Sequence, residues 1–184
     1  MRTSRPLIVL TSVALAVLAL AVPASAAPAR CENATTKPGQ ASEQVLAKAT
    51  VCLVNLERTR RGMRSLRVNR RLSRAALSHT EDMVERRYFA HVSKSGTDVV
   101  DRLLSTGYLG GARSWLVGEN LAWGTNRLST PRQTVTNWME SRGHRANILK
   151  RRFREIGIGV VFHAPSGTRS QVAATYTTTF GYRR

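Results

Sequence analysis

Apolar residues recur at helical spacing along much of this chain and give way to β-branched runs near its end. In residues 42–61, Val45, Leu46, Ala49, Leu53 and Leu56 share one stripe, with Ser42 placed to cap and Gly62 to stop a first helix. Asn55 and Arg58 are polar residues within that segment and read as braces for neighbouring loops. Residues 69–87 predict a second helix capped by Asn69, with Leu72, Ala75, Ala76, His79 and Met83 on one face. A histidine on such a face is expected to be a core residue bonded to a backbone group. Residues 97–106 predict a short third helix with Val99, Val100, Leu103 and Leu104 as its apolar side, ended by Gly107.

Thr130-Pro131-Arg132-Gln133 is a strong helix start, with a capping hydroxyl, proline at the first helical position and a capping-box glutamine. That helix turns Val135, Trp138 and Met139 inward and is expected to end near Gly143, leaving His144 just beyond it. Residues 117–123 predict a short strand holding Glu119. Residues 155–162 and 172–180 read as a hairpin around Pro165-Ser166-Gly167, with His163 exposed in its turn. Gly157 and Gly159 clear one face of its first strand, so that another backbone or a ligand can approach closely. The order of elements predicts an α+β domain, a small antiparallel sheet covered by helices.

The N-terminus stands apart from this pattern. Arg2 and Arg5 precede an uncharged apolar run, and Ala24-Ser25-Ala26 follows as a small-x-small signal. Residues 1–26 therefore read as a signal peptide, which implies a secreted, extracellular protein. Residues 27–41 read as a flexible, irregular arm, and residues 42–184 as one domain large enough to bury a core. An even cysteine count after a leader suggests a Cys31–Cys52 disulfide, with free thiols as the alternative.

Charge narrows the partners. The chain carries 29 Lys and Arg against 11 Asp and Glu, a formal charge of +18, of which the leader's two arginines account for +2. Anionic lipid head groups, acidic wall polymers and extracellular nucleic acid are the candidate polyanions. No recognised reading module is present, so no specific nucleic-acid partner is expected. A monomer is expected.

The candidate chemistry lies around Gly118-Glu119-Asn120, with His91 and His144 on either side in sequence. Imidazole nitrogen and carboxylate oxygen suit zinc, and the same trio suits acid–base work. The spacings are too long for a local metal motif. Each residue also has a purely structural reading: His91 ordering a loop, Glu119 pairing with one of the many arginines, His144 tying down a helix end. A Ser141–His144–Glu119 hydrolase lacks a Gly-x-Ser-x-Gly elbow and an evident oxyanion hole.

From Leu53 onward the chain resembles the CAP superfamily, the cysteine-rich secretory, antigen and pathogenesis-related (SCP-domain) proteins, and more narrowly its bacterial secreted members. The resemblance rests on Tyr88-Phe89-Ala90-His91, Gly118-Glu119-Asn120-Leu121-Ala122, Gly143-His144-Arg145-Ala146-Asn147-Ile148-Leu149 and Glu155-Ile156-Gly157-Ile158-Gly159, with Asn55, Arg58, His79 and Thr179-Phe180-Gly181 in order around them. It implies an α-β-α sandwich with a cleft holding two histidines and two acids, which in some members binds zinc. His91, Glu119 and His144 match three of these. The second acid falls on Ser141. Glu140 is one residue away, about 100° around a helix, and does not replace it. The resemblance implies a binding module for a lipid, sterol, wall polymer or protein, with a divalent metal on His91, His144 and Glu119 as an optional part. The alternative is a metal-dependent hydrolase or protease using the same three residues.

Overall fold

A computed structural model describes residues 31–166 and 172–184. The proposed leader lies outside the described residues, as do the first residues of the arm and Gly167 of the hairpin turn. The helices are α1 (Glu43–Thr59), α2 (Arg70–Glu85), α3 (Val99–Ser105), α4 (Pro131–Glu140) and α5 (Arg142–Ile148). The strands are β1 (Arg67–Val68), β2 (Trp115–Thr125), β3 (Glu155–Val161) and β4 (Ala173–Arg183), in the sheet order β1-β3-β4-β2. No helix among the described residues is long and apolar enough to cross a membrane.

Local chemistry sets the helix starts. Ser42 accepts from Val45 N, Asn69 from Arg71 N and Leu72 N, and Thr130 from Gln133 N, each satisfying amides that a helix leaves free. Asp98 and Asp101 form a reciprocal capping box that opens α3. Asn55 does brace a loop, through both its amide atoms and the backbone of Leu66.

Helices cover both sides of the sheet. Ile156, Val160, Ala174, Tyr176 and Phe180 share one core with Leu53 and Val54 of α1, Val135 and Trp138 of α4 and Ile148 of α5. On the other side α2 lies directly on β3. A Cβ at Gly157 would stand 2.1 Å from the carbonyl carbon of Leu72, and one at Gly159 would stand 2.5 Å from Leu77 Cα. The close approach expected from these glycines is made by a helix backbone. Leu72 and Ala75 of α2 then join Leu103, Tyr108 and Leu109 in a second, smaller core.

Three elements differ from expectation. β2 runs for 11 residues and pairs with β4 from Trp115↔Arg183 to Thr125↔Ala173. Its length is hidden in sequence because its middle is Gly118-Glu119-Asn120, residues chosen for the site and not for alternation. The sheet is not wholly antiparallel: β1 adds a two-residue parallel pairing to β3, too short to carry a period. The helix expected to end near Gly143 breaks instead at Ser141, which is extended (ψ 123°), and restarts as α5. His144 therefore sits inside a helix and not beyond one.

Residues 31–41 form turns docked on the body of the domain. Ala34 is buried in the main core, and its carbonyl accepts from Arg132 N. Cys31 and Cys52 are bonded, with Cα atoms 5.7 Å apart and a sequence separation of 21. Closing a loop of that size stabilises the fold by about 3 kcal/mol in the chain-entropy model. Cys31→Ala/Cys52→Ala is accordingly expected to lower the unfolding free energy by that amount in urea titrations, with a steeper slope because the denatured chain without the cross-link is less compact.

Candidate functional site

The edge strand β2 is the floor of the site, and its central tripeptide faces both ways. Asn120 Nδ2 donates to the carbonyl of His144 (3.1 Å), while Asn147 Nδ2 donates to the carbonyl of Glu119 (3.1 Å) and to Asn120 Oδ1 (2.9 Å). These bonds fasten α5, and so His144, to the strand. Gly118 makes room for them, since a Cβ there would lie 2.9 Å from Asn147 Oδ1 and 3.0 Å from Phe153 Cζ. A hydrogen bond from Trp138 Nε1 to Leu121 O (2.9 Å) ties α4 to the same strand.

The Glu119 side chain turns toward α3. Its two oxygens are both engaged: Oε1 lies 2.8 Å from His91 Nδ1, and Oε2 accepts from Arg102 Nη2 at 2.9 Å. The Glu119 and Arg102 side chains are 3% and 8% exposed, whereas His91 is 57% exposed. Arg102 also donates to the carbonyls of Thr97 and His91, so one buried guanidinium holds the carboxylate and the loop that carries His91. That loop has a second tie. His79, buried on α2 as expected, sits with Nε2 3.0 Å from Ala90 O. Phe89 and Val92, in the same loop as His91, are exposed apolar side chains.

Glu119 Oε1 engages the Nδ1 edge of His91 and leaves the Nε2 edge of the ring outside that contact. Burial, with His91 as a second cause, lowers the pKa of His144 below the ordinary imidazole value of 6.5. Burial is also the largest cause lowering that of His79, with Arg102 adding to it and Glu119 opposing. Both are neutral imidazoles near pH 7. A histidine depressed in the folded state binds fewer protons there than when unfolded, so stability is full above pH 6.5 and falls as the pH drops below it toward the folded values. Melting temperature is expected to decline between pH 7 and pH 5, with a shallower decline in His79→Gln, as measured by thermal unfolding in a buffer series.

The structure thus puts His91 in contact with Glu119 and fastens the His144 backbone to Asn120 of the same strand. Ser141 is not part of their network: its side chain makes no hydrogen bond to His144 or Glu119 among the described residues and does not cap α5. Arg102 is the site residue that the sequence did not single out. Pairing of Glu119 with an arginine is a general expectation in so basic a chain, but nothing in the spacing selects one among 29 Lys and Arg.

A divalent metal held by His91, Glu119 and His144 together does not fit this arrangement. No group of three or more His, Cys, Asp or Glu among the described residues is placed to hold an ion. Glu119 is already neutralised by Arg102 and engaged by His91, and the second-acid position is a serine. Two imidazoles remain, where protein zinc sites present three or four ligands. Glu119 here positions the His91 ring instead.

Comparisons with known proteins place the chain in a family. The chain is 37% identical to the Bacillus subtilis protein YkwD over 127 residues, 69% of this chain and 47% of YkwD. It is 34% identical over 113 residues to the B. subtilis membrane protein YlbC, 61% of this chain and 31% of YlbC. The chain thus spans less than half the length of either relative. An extracellular SCP-domain protein of Bacillus anthracis superposes with a TM-score of 0.60 at 27% identity, covering 75% of this chain and 40% of the other. An outer surface protein of Borrelia burgdorferi shares the fold, with a TM-score of 0.64 at 18% identity, covering 78% of this chain and 97% of that one. Residues 51–180, which include His91, Glu119 and His144, match the cysteine-rich secretory protein family, and the chain belongs to that CAP family.

Proposed function

We propose that this CAP domain is a secreted, non-enzymatic binding module whose cleft works without a resident metal. The observation that supports this most directly is the engagement of Glu119: with Oε1 on His91 and Oε2 on Arg102, the one cleft carboxylate is not free to act as a base or a metal ligand. His91 is largely exposed beside His144, whose neutral imidazole offers a hydrogen-bond acceptor, and Phe89 and Val92 of the His91 loop are exposed apolar side chains. That combination suits an amphipathic ligand with a hydroxyl head, such as a lipid or sterol. The formal charge of +18, less the +2 of the leader's two arginines, favours delivery to an anionic wall or membrane surface.

The test is sedimentation with phosphatidylglycerol vesicles and with phosphatidylcholine vesicles over a salt series. Retention on the anionic vesicles alone, released by salt, is the result expected of the surface role. Equal binding to both kinds, or none, contradicts the surface role. The alternative, a metal-dependent hydrolase, requires Glu119 to leave Arg102. Its signature is an activity that needs added metal and vanishes in Glu119→Gln.

A further inference from the structure

Away from the cleft, beyond the C-terminal ends of α1 and α5, the fold gathers arginines with no acid among them. Arg58, Gly62, Met63, Arg64, Arg151 and Arg154 line a pocket of about 290 Å³. Arg58 is 1% exposed. Its Nε donates to Arg64 O (2.9 Å) and its Nη1 to Ile148 O (2.6 Å) and Lys150 O (3.2 Å). Its Nη2 makes no hydrogen bond among the described residues. The Arg154 guanidinium is fixed by the carbonyls of Arg151 and Phe153. Arg64 and Arg151 are exposed at the mouth.

The acids are used elsewhere. Glu57 pairs with Arg60 and Arg61, Asp82 with Arg86 and Glu119 with Arg102, whereas none of the four pocket arginines has an ion pair among the described residues. Burial, and then the charge of Arg154, push the Arg58 pKa down, so the pocket holds cations that repel one another. A guanidinium buried with only carbonyl partners keeps a charge that an anion can offset. Guanidinium forks match the oxygens of a phosphate better than any other side chain, and several around one concavity can share its charge.

We propose that the pocket formed by Arg58, Arg64, Arg151 and Arg154 is a binding site for a phosphate group, a monoester or diester carried by an extracellular anion. This deepens the surface-binding reading and rests on it for its biological setting. Arg58 is anchored from within, Arg154 is held at the surface by backbone carbonyls, and Arg64 and Arg151 close on the ligand from solvent. The volume admits a phosphate with a glycerol-sized substituent.

The probes are inorganic phosphate and glycerol 3-phosphate, titrated by calorimetry at constant ionic strength. The pocket variant is Arg64→Gln/Arg151→Gln, both exposed positions, and the control is Arg70→Gln/Arg74→Gln on α2, which removes the same charge from another part of the surface. Saturable one-to-one binding, weakened at least tenfold in the pocket variant and less than twofold in the control, is expected. Non-saturable heats, or equal weakening in both variants, overturn the proposal. Phosphatidylglycerol vesicles and soluble poly(glycerol phosphate) then distinguish the sources: the pocket variant loses affinity for whichever carries the phosphate. Vesicle binding that survives with no phosphate titration overturns the pocket and leaves the surface reading standing. Phosphate binding lost in the pocket variant, with no retention on any anionic surface, does the reverse.

Discussion

Arg102→Ala is expected to destabilise the domain by about 3–5 kcal/mol, the cost of stripping one partner from a buried ion pair. For a domain of this size that corresponds to a fall in melting temperature on the order of 10 °C. The reason lies in what is left behind. Glu119, 3% exposed, keeps only His91 as a partner, and the carbonyls of Thr97 and His91 lose a buried donor. The loss exceeds that of His91→Ala, because His91 is largely exposed and its removal strands no buried cation. Thermal and urea unfolding of the two variants against wild type check this order. If His91→Ala proves the more damaging, Arg102 is not the residue that holds the cleft together.

Gly157→Val is expected to prevent folding at physiological temperature, and Gly157→Ala to cost more than about 3 kcal/mol. Typical overpacking of a core costs roughly 1–3 kcal/mol because side chains can shift. Here the obstacle is main chain: the new Cβ would lie 2.1 Å from Leu72 C and 2.3 Å from Ser73 N. Only a displacement of α2 from β3 relieves it, and α2 carries His79, which anchors the cleft loop. Gly143→Ala is the matched control. It sits within α5 with nothing within 4 Å of the added methyl group, and is expected to stabilise by about 0.5–1 kcal/mol through helix propensity. Circular dichroism of the three variants reads both outcomes.

These cases show what the sequence made legible and what it hid. The capped, striped helices were legible because caps and periodicity are local properties: Ser42, Asn69 and Thr130 each do the work their positions suggest. The meaning of Gly157 and Gly159 was legible as a clearance, though not which backbone fills it. The break at Ser141 was hidden, because Arg142-Gly143-His144 reads equally as a helix end or a helix start once the preceding turn is unknown. β1 was hidden by its brevity. Three of the site residues were legible through family motifs, since nothing in spacings of this length joins His91 to Glu119. Arg102 was hidden for a physical reason: a buried ion pair is made by the fold, from partners 17 residues apart on different elements.

The most direct test of the account is a calorimetric titration of zinc into the chain from Ala27 onward near pH 7, with His91→Ala/His144→Ala alongside. Because Glu119 is held by Arg102 and the second acid is replaced by Ser141, the account predicts no saturable one-to-one binding at micromolar zinc and no rise in melting temperature with the metal. One-to-one micromolar binding that disappears in the double variant would contradict it, and would mean that the carboxylate exchanges its arginine for a metal.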